Sequence, residues 1–317
     1  MKDLKEDLKN KNFASMYVFS GEPYLKRHYE LQFRKAIGED LVDILEEPTA
    51  AKVLELANAL SFFGSNRLII VRNSGFFGKK SEETLLNLNP SNIVIFIEES
   101  IDKRTKFFKH VKSNGKIYEF ETLTESDLIK WLTSLAKKRK KEVPSNVARY
   151  FLQTVGTNMY TLENEFEKLL SYTGEIFITE QDIDEVCTKS VEAKIFAMLK
   201  AVGEKKPVIV LKEYEALIIS KEEPLKILSM AARQIRLILR AKALSSSGFS
   251  NDIIAKKMGI LPFVVRECLM QAKNFKYNSL INALNECATL DANLKIGKVP
   301  MELGVEIFLT KFAMGKF

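Results

Sequence analysis

Residues 57–72 read ANALSFFGSNRLIIVR, and this one segment sets the kind of fold the chain can have. It joins the end of a helix carrying Leu54, Leu56 and Leu60 to Leu68-Ile69-Ile70-Val71. A short, uninterrupted apolar run of that kind forms a strand buried on both faces. Phe62 and Phe63 stand between them, followed by Gly64-Ser65-Asn66. Adjacent side chains cannot both face one core from a regular element, so two readings of the pair stay open. Either both rings pack down on the sheet edge, or one ring faces outward as a plug for a partner's pocket. Gly64 gives the backbone the freedom a sharp corner needs.

Strand and helix signals alternate on either side of this corner through residues 1–122. Met16-Tyr17-Val18-Phe19 is an apolar run ending at Ser20-Gly21, and Tyr24, Leu25, Tyr29, Leu31, Phe33 and Ile37 give a broad helical stripe closed by Gly38. Leu41 to Leu45 reads as a second strand, and Leu85, Leu86 and Leu88 suggest a helix before Pro90. Ile93-Val94-Ile95-Phe96-Ile97 is the clearest buried strand. A basic helix is expected from Asp102 to Val111, then a last strand at Ile117-Tyr118-Glu119-Phe120. The pattern predicts a parallel sheet covered on both faces.

In such a sheet the first strand–loop–helix is the natural phosphate cradle, here Phe19-Ser20-Gly21-Glu22-Pro23. A phosphate-binding P-loop needs two glycines five residues apart, then lysine and a hydroxyl residue. Counting from Gly21, those last three places hold Lys26, Arg27 and His28, and none of the fourteen glycines has another five residues later. Glu22 adds a carboxylate where a phosphate would lie. The loop reads as a degenerate nucleotide loop (Gly21, Glu22, Lys26, Arg27) that binds none, and Glu98-Glu99 as a strand-end remnant or plain surface charge.

Residues 123–189 read as a small helical module. Thr124 and Asp127 form a capping signal, and the helix behind them runs into Lys137-Lys138-Arg139-Lys140-Lys141. Five consecutive cations at a helix C-terminus suit its dipole; the alternative is contact with a nucleic-acid backbone. Ile176 to Ile178 is expected to be a short extended piece. Strand signals vanish in residues 190–317, where about seven helical stripes follow one another with short loops and no repeat period.

Composition agrees with two or three soluble domains: 317 residues, 46% apolar and 28% charged. The balance of 48 basic and 41 acidic residues gives +7, compatible with nucleic acid nearby without requiring it. The start, MKDLKEDLKNKN, lacks a signal peptide's apolar region, and no window is apolar enough to span a membrane. Cys187, Cys268 and Cys287 have no CxxC or CxxH companions and read as buried thiols of a reducing cytoplasm. No catalytic constellation and no metal-ligand or cofactor pattern stands out, and the two histidines are far apart.

Four strings, in this order and at these distances, resemble the delta-subunit family of bacterial DNA polymerase III clamp loaders. They are Tyr17-Val18-Phe19-Ser20-Gly21-Glu22-Pro23-Tyr24-Leu25, Ser61-Phe62-Phe63-Gly64 before Arg67-Leu68-Ile69-Ile70-Val71, Gly259-Ile260-Leu261-Pro262-Phe263-Val264-Val265, and Leu290-Asp291-Ala292-Asn293-Leu294-Lys295-Ile296-Gly297. The resemblance covers essentially the whole chain. It implies an AAA+-type α/β domain without its ATP site over 1–122, a helical lid over 123–189 and an all-helical oligomerisation collar over 190–317. It also implies a subunit of the DNA-directed DNA polymerase holoenzyme that binds and opens the sliding clamp, the beta subunit, for loading on primed DNA. The subunit would have no cofactor and no ATP hydrolysis of its own. Its other partners would be the tau/gamma and delta prime subunits of a cytoplasmic heteropentamer, with no membrane involved. The family's clamp-gripping apolar pair falls on Phe62 and Phe63, beside Gly64; the first place is often leucine, so Phe62 is a conservative departure. The resemblance favours the outward reading of the pair. The rival reading is a stand-alone basic nucleic-acid-binding protein that uses Lys137 to Lys141 and the basic helix Lys103-Arg104-Thr105-Lys106.

Overall fold

Tyr17 and Phe19 project from one side of their strand and Met16 and Val18 from the other, so the sheet needs cover on both faces. The computed structural model describes residues 2–59, 67–78, 83–87 and 92–317, and the chain divides into two units, Met1–Thr122 and Leu123–Phe317. The first contains α1 (Lys2–Asn10), β1 (Met16–Gly21), α2 (Pro23–Ile37), β2 (Val42–Glu46), α3 (Ala50–Ala57), β3 (Leu68–Arg72), β4 (Ile93–Ile97), α4 (Lys106–Asn114) and β5 (Lys116–Phe120). The strands make one parallel sheet in the order β2-β3-β4-β1-β5.

The alternation sorts the core into two layers. Tyr17, Phe19, Ile70 and Ile95 pack against Leu4 of α1 and Tyr29 and Phe33 of α2. Val18, Ile69, Val71 and Phe96 pack on the other face against Val53 of α3 and Phe107 and Val111 of α4. Phe77, in the turn after β3, stands 5.4 Å from Phe96 and 4.9 Å from Phe107, centroid to centroid. Each fully buried ring of this kind contributes about 1.5–3 kcal/mol through removal from water.

Two expectations for this unit change. The basic helix starts at Lys106, because Thr105 caps it by accepting from the Phe108 amide. Asp102 instead accepts the Arg104 amide at 2.9 Å, which holds Lys103 and Arg104 in a turn ahead of the helix. The leucines before Pro90 lie on a 3₁₀ turn, Glu83–Asn87, with Leu88 outside the described residues. Helix α1 adds an element that the sequence pattern does not announce; Leu4 and Leu8, one turn apart, bring it onto the sheet.

The second unit is helical: α5 (Glu125–Lys138), α6 (Ser145–Val155), α7 (Met159–Tyr172), α8 (Glu180–Val186), α9 (Val191–Gly203), α10 (Pro207–Ile219), α11 (Pro224–Ser246), α12 (Asn251–Met258), α13 (Pro262–Ala272), α14 (Tyr277–Lys295) and α15 (Met301–Ala313). Thr124 caps α5, and Thr179 with Asp182 forms a reciprocal capping box on α8. The extended piece near Ile176 is a single parallel bridge between Glu142 and Phe177. Ile195, Leu199, Leu217, Ile235, Ile238, Leu309 and their neighbours form one continuous core for the later helices. Glu125 of α5 holds Arg149 at 2.7 Å and Arg266 of α13 at 3.0 Å, so residues on either side of position 190 share an ion cluster. The architecture is the α/β plus all-α class expected.

Candidate functional site

A parallel sheet receives ligands at its C-terminal edge, where successive connections leave in opposite directions. That point lies here between β1 and β4: the chain leaves β1 for the far strand β2 and leaves β4 for β5 on the other side of β1. A cavity of about 360 Å³ opens there, lined by Gly21, Pro23, Lys26, Arg72, Asn73, Ile97 and Glu99.

Its walls are built from one another. Gly21 has φ +91°, and a Cβ there would lie 2.0 Å from the Phe120 carbonyl oxygen, so the close approach of β5 is what requires glycine. The same oxygen accepts the Glu22 amide at 2.8 Å. Pro23 has no amide hydrogen and opens α2. The turn therefore keeps few backbone donors for an anion. Lys26, almost wholly buried, donates to the Glu98 carbonyl at 3.0 Å. Burial pulls its ammonium below the usual lysine range, against the opposing pull of Glu99, Glu98 and Glu22. Arg27 pairs with Glu30 at 3.0 Å, and Arg72 reaches the same buried carboxylate at 2.7 Å.

Glu98 is not surface charge. It is 4% exposed, and its carboxylate accepts the Ser74 amide at 3.1 Å, the Ser74 hydroxyl at 2.5 Å and the Gly75 amide at 3.4 Å. Burial pushes its carboxyl above the usual glutamate range, partly countered by those hydrogen bonds. Its work is to fasten the turn after β3, while Glu99 is exposed at the cavity.

The α3–β3 corner belongs to the opposite, N-terminal edge. Phe62, Phe63 and Gly64 lie outside the described residues; the anchors on both sides are described. Asn92, just ahead of β4, donates its side-chain amide to the carbonyls of Ala57 at 2.5 Å and Ala59 at 3.0 Å. Its side-chain oxygen accepts the Arg67 amide at 3.2 Å. Arg67 is held further by Asp43, through Nε at 3.1 Å and Nη2 at 2.5 Å.

The basic run divides. Lys137, Lys138 and Lys140 are exposed. Arg139 pairs with Glu167 at 2.6 Å, and the Lys141 ammonium donates to the carbonyls of Thr173 and Glu175. Two of the five cations are thus committed to their own unit.

Sequence reasoning missed Asn92, Ser74 and the Glu30 cluster. The signal for Asn92 was its place immediately before five apolar strand residues, where a polar side chain must find partners on burial. Glu30 and Arg72 gave none, because they meet only when α2 and β3 pack together.

Comparisons with known proteins bear on both units. The family model "DNA polymerase III, delta subunit" matches residues 41–121, which include the corner, and "DNA polymerase III delta subunit, C-terminal domain" matches 192–312. The chain is 25% identical over 331 aligned positions to DNA polymerase III subunit delta of Bacillus subtilis (strain 168), covering 97% of this chain and 95% of that one. It is similar in fold to the solved Bacillus subtilis DNA clamp loader delta protein, with a TM-score of 0.69 at 24% identity, covering 98% and 99% of the two chains.

Proposed function

We propose, the chain being a member of the DNA polymerase III delta-subunit family, that it is the subunit of a clamp loader that grips the sliding clamp through Phe62 and Phe63 and holds it open. Supporting this is the relation between the two edges of its sheet. The C-terminal crevice has lost its phosphate donors to Phe120, Pro23 and the Lys26–Glu98 bond, while the connection carrying the paired phenylalanines is fastened at both ends by Asn92.

The chain hydrolyses no ATP itself; partner subunits supply that step. Burying two phenylalanine rings in a clamp pocket is worth about 3–6 kcal/mol, a large part of a micromolar affinity. Opening needs more than affinity. The subunit must fit the open or strained ring better than the closed one, because only differential binding shifts an equilibrium. Residues 123–189 act as the lid and 190–317 as the collar. Val208 and Ile219 of α10 and Leu303 and Ile307 of α15 are exposed, an apolar surface that neighbouring loader subunits would cover. The compartment is the cytoplasm. Among the described residues no helix is long and apolar enough to cross a membrane, and Cys187, Cys268 and Cys287 are buried free thiols.

The test is binding of the full chain to immobilised sliding clamp by surface plasmon resonance. Phe62→Ala with Phe63→Ala is expected to weaken binding by at least about tenfold without shifting the unfolding temperature. Clamp capture unchanged in the double variant would remove the assignment.

A further inference from the structure

We infer that the exposed face of α11 is a docking line for the phosphodiester backbone of DNA, held through Arg233, Arg236 and Arg240. This contact is independent of the clamp-gripping reading of Phe62 and Phe63.

Spacings of three and four residues bring positions 233, 236 and 240 to one face of the helix, over about 10.5 Å of its axis. All three arginines are exposed, while Ile227, Ala231, Ile235 and Ile238 turn the opposite face into the core. Among the described residues none of the three has an ion pair or a hydrogen bond. The other eight arginines of the chain each pair with a carboxylate. Arginines without a partner are therefore confined to this single stripe. The helix has no acidic residue along its 23 positions. Its remaining cations are used elsewhere: Lys226 pairs with Glu222 at 2.6 Å, and Lys242 donates to the carbonyls of Ala272 at 2.6 Å and Phe275 at 2.8 Å. On the flanking helices, Glu267 of α13 accepts from Gln153 at 3.1 Å. Glu286 of α14 shares the surroundings of Cys287 with Arg236 but forms no ion pair with it.

The fold gains nothing from this stripe. Like charges three and four residues apart repel on a helix surface, and mid-helix positions lie too far from the C-terminus to complement its dipole. The character of the face selects the ligand. A protein partner or a membrane would need an apolar anchor there, and no large exposed hydrophobic side chain lies on α11. A phosphate backbone needs none, because cations in a row bind it by releasing its counterions. Guanidinium suits phosphate oxygens better than ammonium does, since its planar fork donates two parallel bonds. The family's place in DNA polymerase III agrees with such a ligand. Phosphate contacts carry no sequence information, so the stripe would hold any strand that reaches it.

The experiment is fluorescence anisotropy of the full chain, without clamp, against labelled oligothymidylate and a labelled mixed-sequence duplex over a range of salt. Wild type is compared with Arg233→Gln/Arg236→Gln/Arg240→Gln. A second triple variant, Lys5→Gln/Lys9→Gln/Lys35→Gln, takes the same charge from exposed positions of α1 and α2. Neutralising the stripe is expected to lower the slope of log K against log salt by roughly 2 on the single strand or roughly 3 on the duplex, whichever it holds. Affinity at about 0.1 M salt should fall about a hundredfold, with the melting temperature at or above that of wild type. The variant in α1 and α2 should keep the wild-type slope. An equal loss in both variants would reduce the effect to net charge and overturn the contact, as would wild type that binds neither DNA at low salt. Poly-glutamate that displaces DNA as well as unlabelled DNA does, at equal charge, would make the stripe a surface for acidic protein instead. Should the stripe variant not fold, Arg240→Gln alone decides: its slope should fall by roughly 0.7 to 0.9, and an unchanged slope rejects the assignment.

Discussion

The ammonium of Lys26 donates to the backbone carbonyl of Glu98 at 3.0 Å, spanning the crevice where a parallel sheet of this kind would admit a nucleotide. A lysine in that position has two possible partners, a phosphate or the strand beside it, and here it has taken the strand. Pro23 and the Phe120 carbonyl remove the neighbouring amide donors. Magnesium and ATP at millimolar concentration are therefore expected to leave the melting temperature unchanged. A ligand present at a hundred times its Kd would stabilise the fold by about 2.7 kcal/mol, a shift of several degrees that differential scanning fluorimetry would register.

Glu98 predicts a pH dependence. Its folded-state pKa is raised by burial, so the protonated form is favoured on folding. Its contribution is fully present below the unfolded glutamate pKa, about 4.5, and is lost as pH rises through the folded value. Wild type should lose stability relative to Glu98→Gln as pH is raised above about 4.5. Parallel thermal melts through the mildly acidic range would show converging or crossing curves. Strictly parallel curves would mean that Glu98 titrates as in the unfolded chain.

Gly21 gives a sharper test. With φ at +91° and the Phe120 oxygen 2.0 Å from any Cβ, alanine cannot be accommodated unless β1 and β5 separate at their last pair, Gly21 with Phe120. Gly21→Ala is expected to cost about 2–4 kcal/mol by chemical denaturation. Gly38→Ala also sits at positive φ, with φ 110° and ψ 132°, but meets nothing within 4 Å, and should cost only its backbone strain, about 1–3 kcal/mol. Similar costs at both positions would show that conformation, not crowding by β5, governs Gly21.

Much of the sheet was legible because three of its strands are buried on both faces and so carry unbroken apolar runs: Ile93 to Ile97 and Leu68 to Val71 needed no context. The missing P-loop was legible too, since it depends on spacing alone. Glu98 was not. A glutamate at a strand end looks the same whether it meets water or the turn at Ser74, and only the path of residues 73–78 decides. Asn92 was hidden for a related reason. Its partners are backbone groups 25 to 35 positions away, and a backbone group leaves no residue type to find. The helix expected at Asp102 begins later because Asp102 and Thr105 are both plausible starts, and Thr105 holds the cap.

The basic run 137–141 separates by partner, which turns a vague expectation into a test. Arg139 and Lys141 are held within their own unit, whereas Lys137, Lys138 and Lys140 are exposed. If the run touches a nucleic-acid backbone, the three exposed lysines do the touching. Replacing them with alanine should lower the affinity of the assembled complex for primed DNA. It should also reduce the slope of log K against log salt by roughly 0.9 for each duplex phosphate that is no longer neutralised. Arg139→Ala should leave that slope unchanged and cost at most about 1 kcal/mol of stability through its exposed pair with Glu167. The same slope in the triple variant as in wild type would assign all five cations to solubility and to the C-terminal dipole of α5.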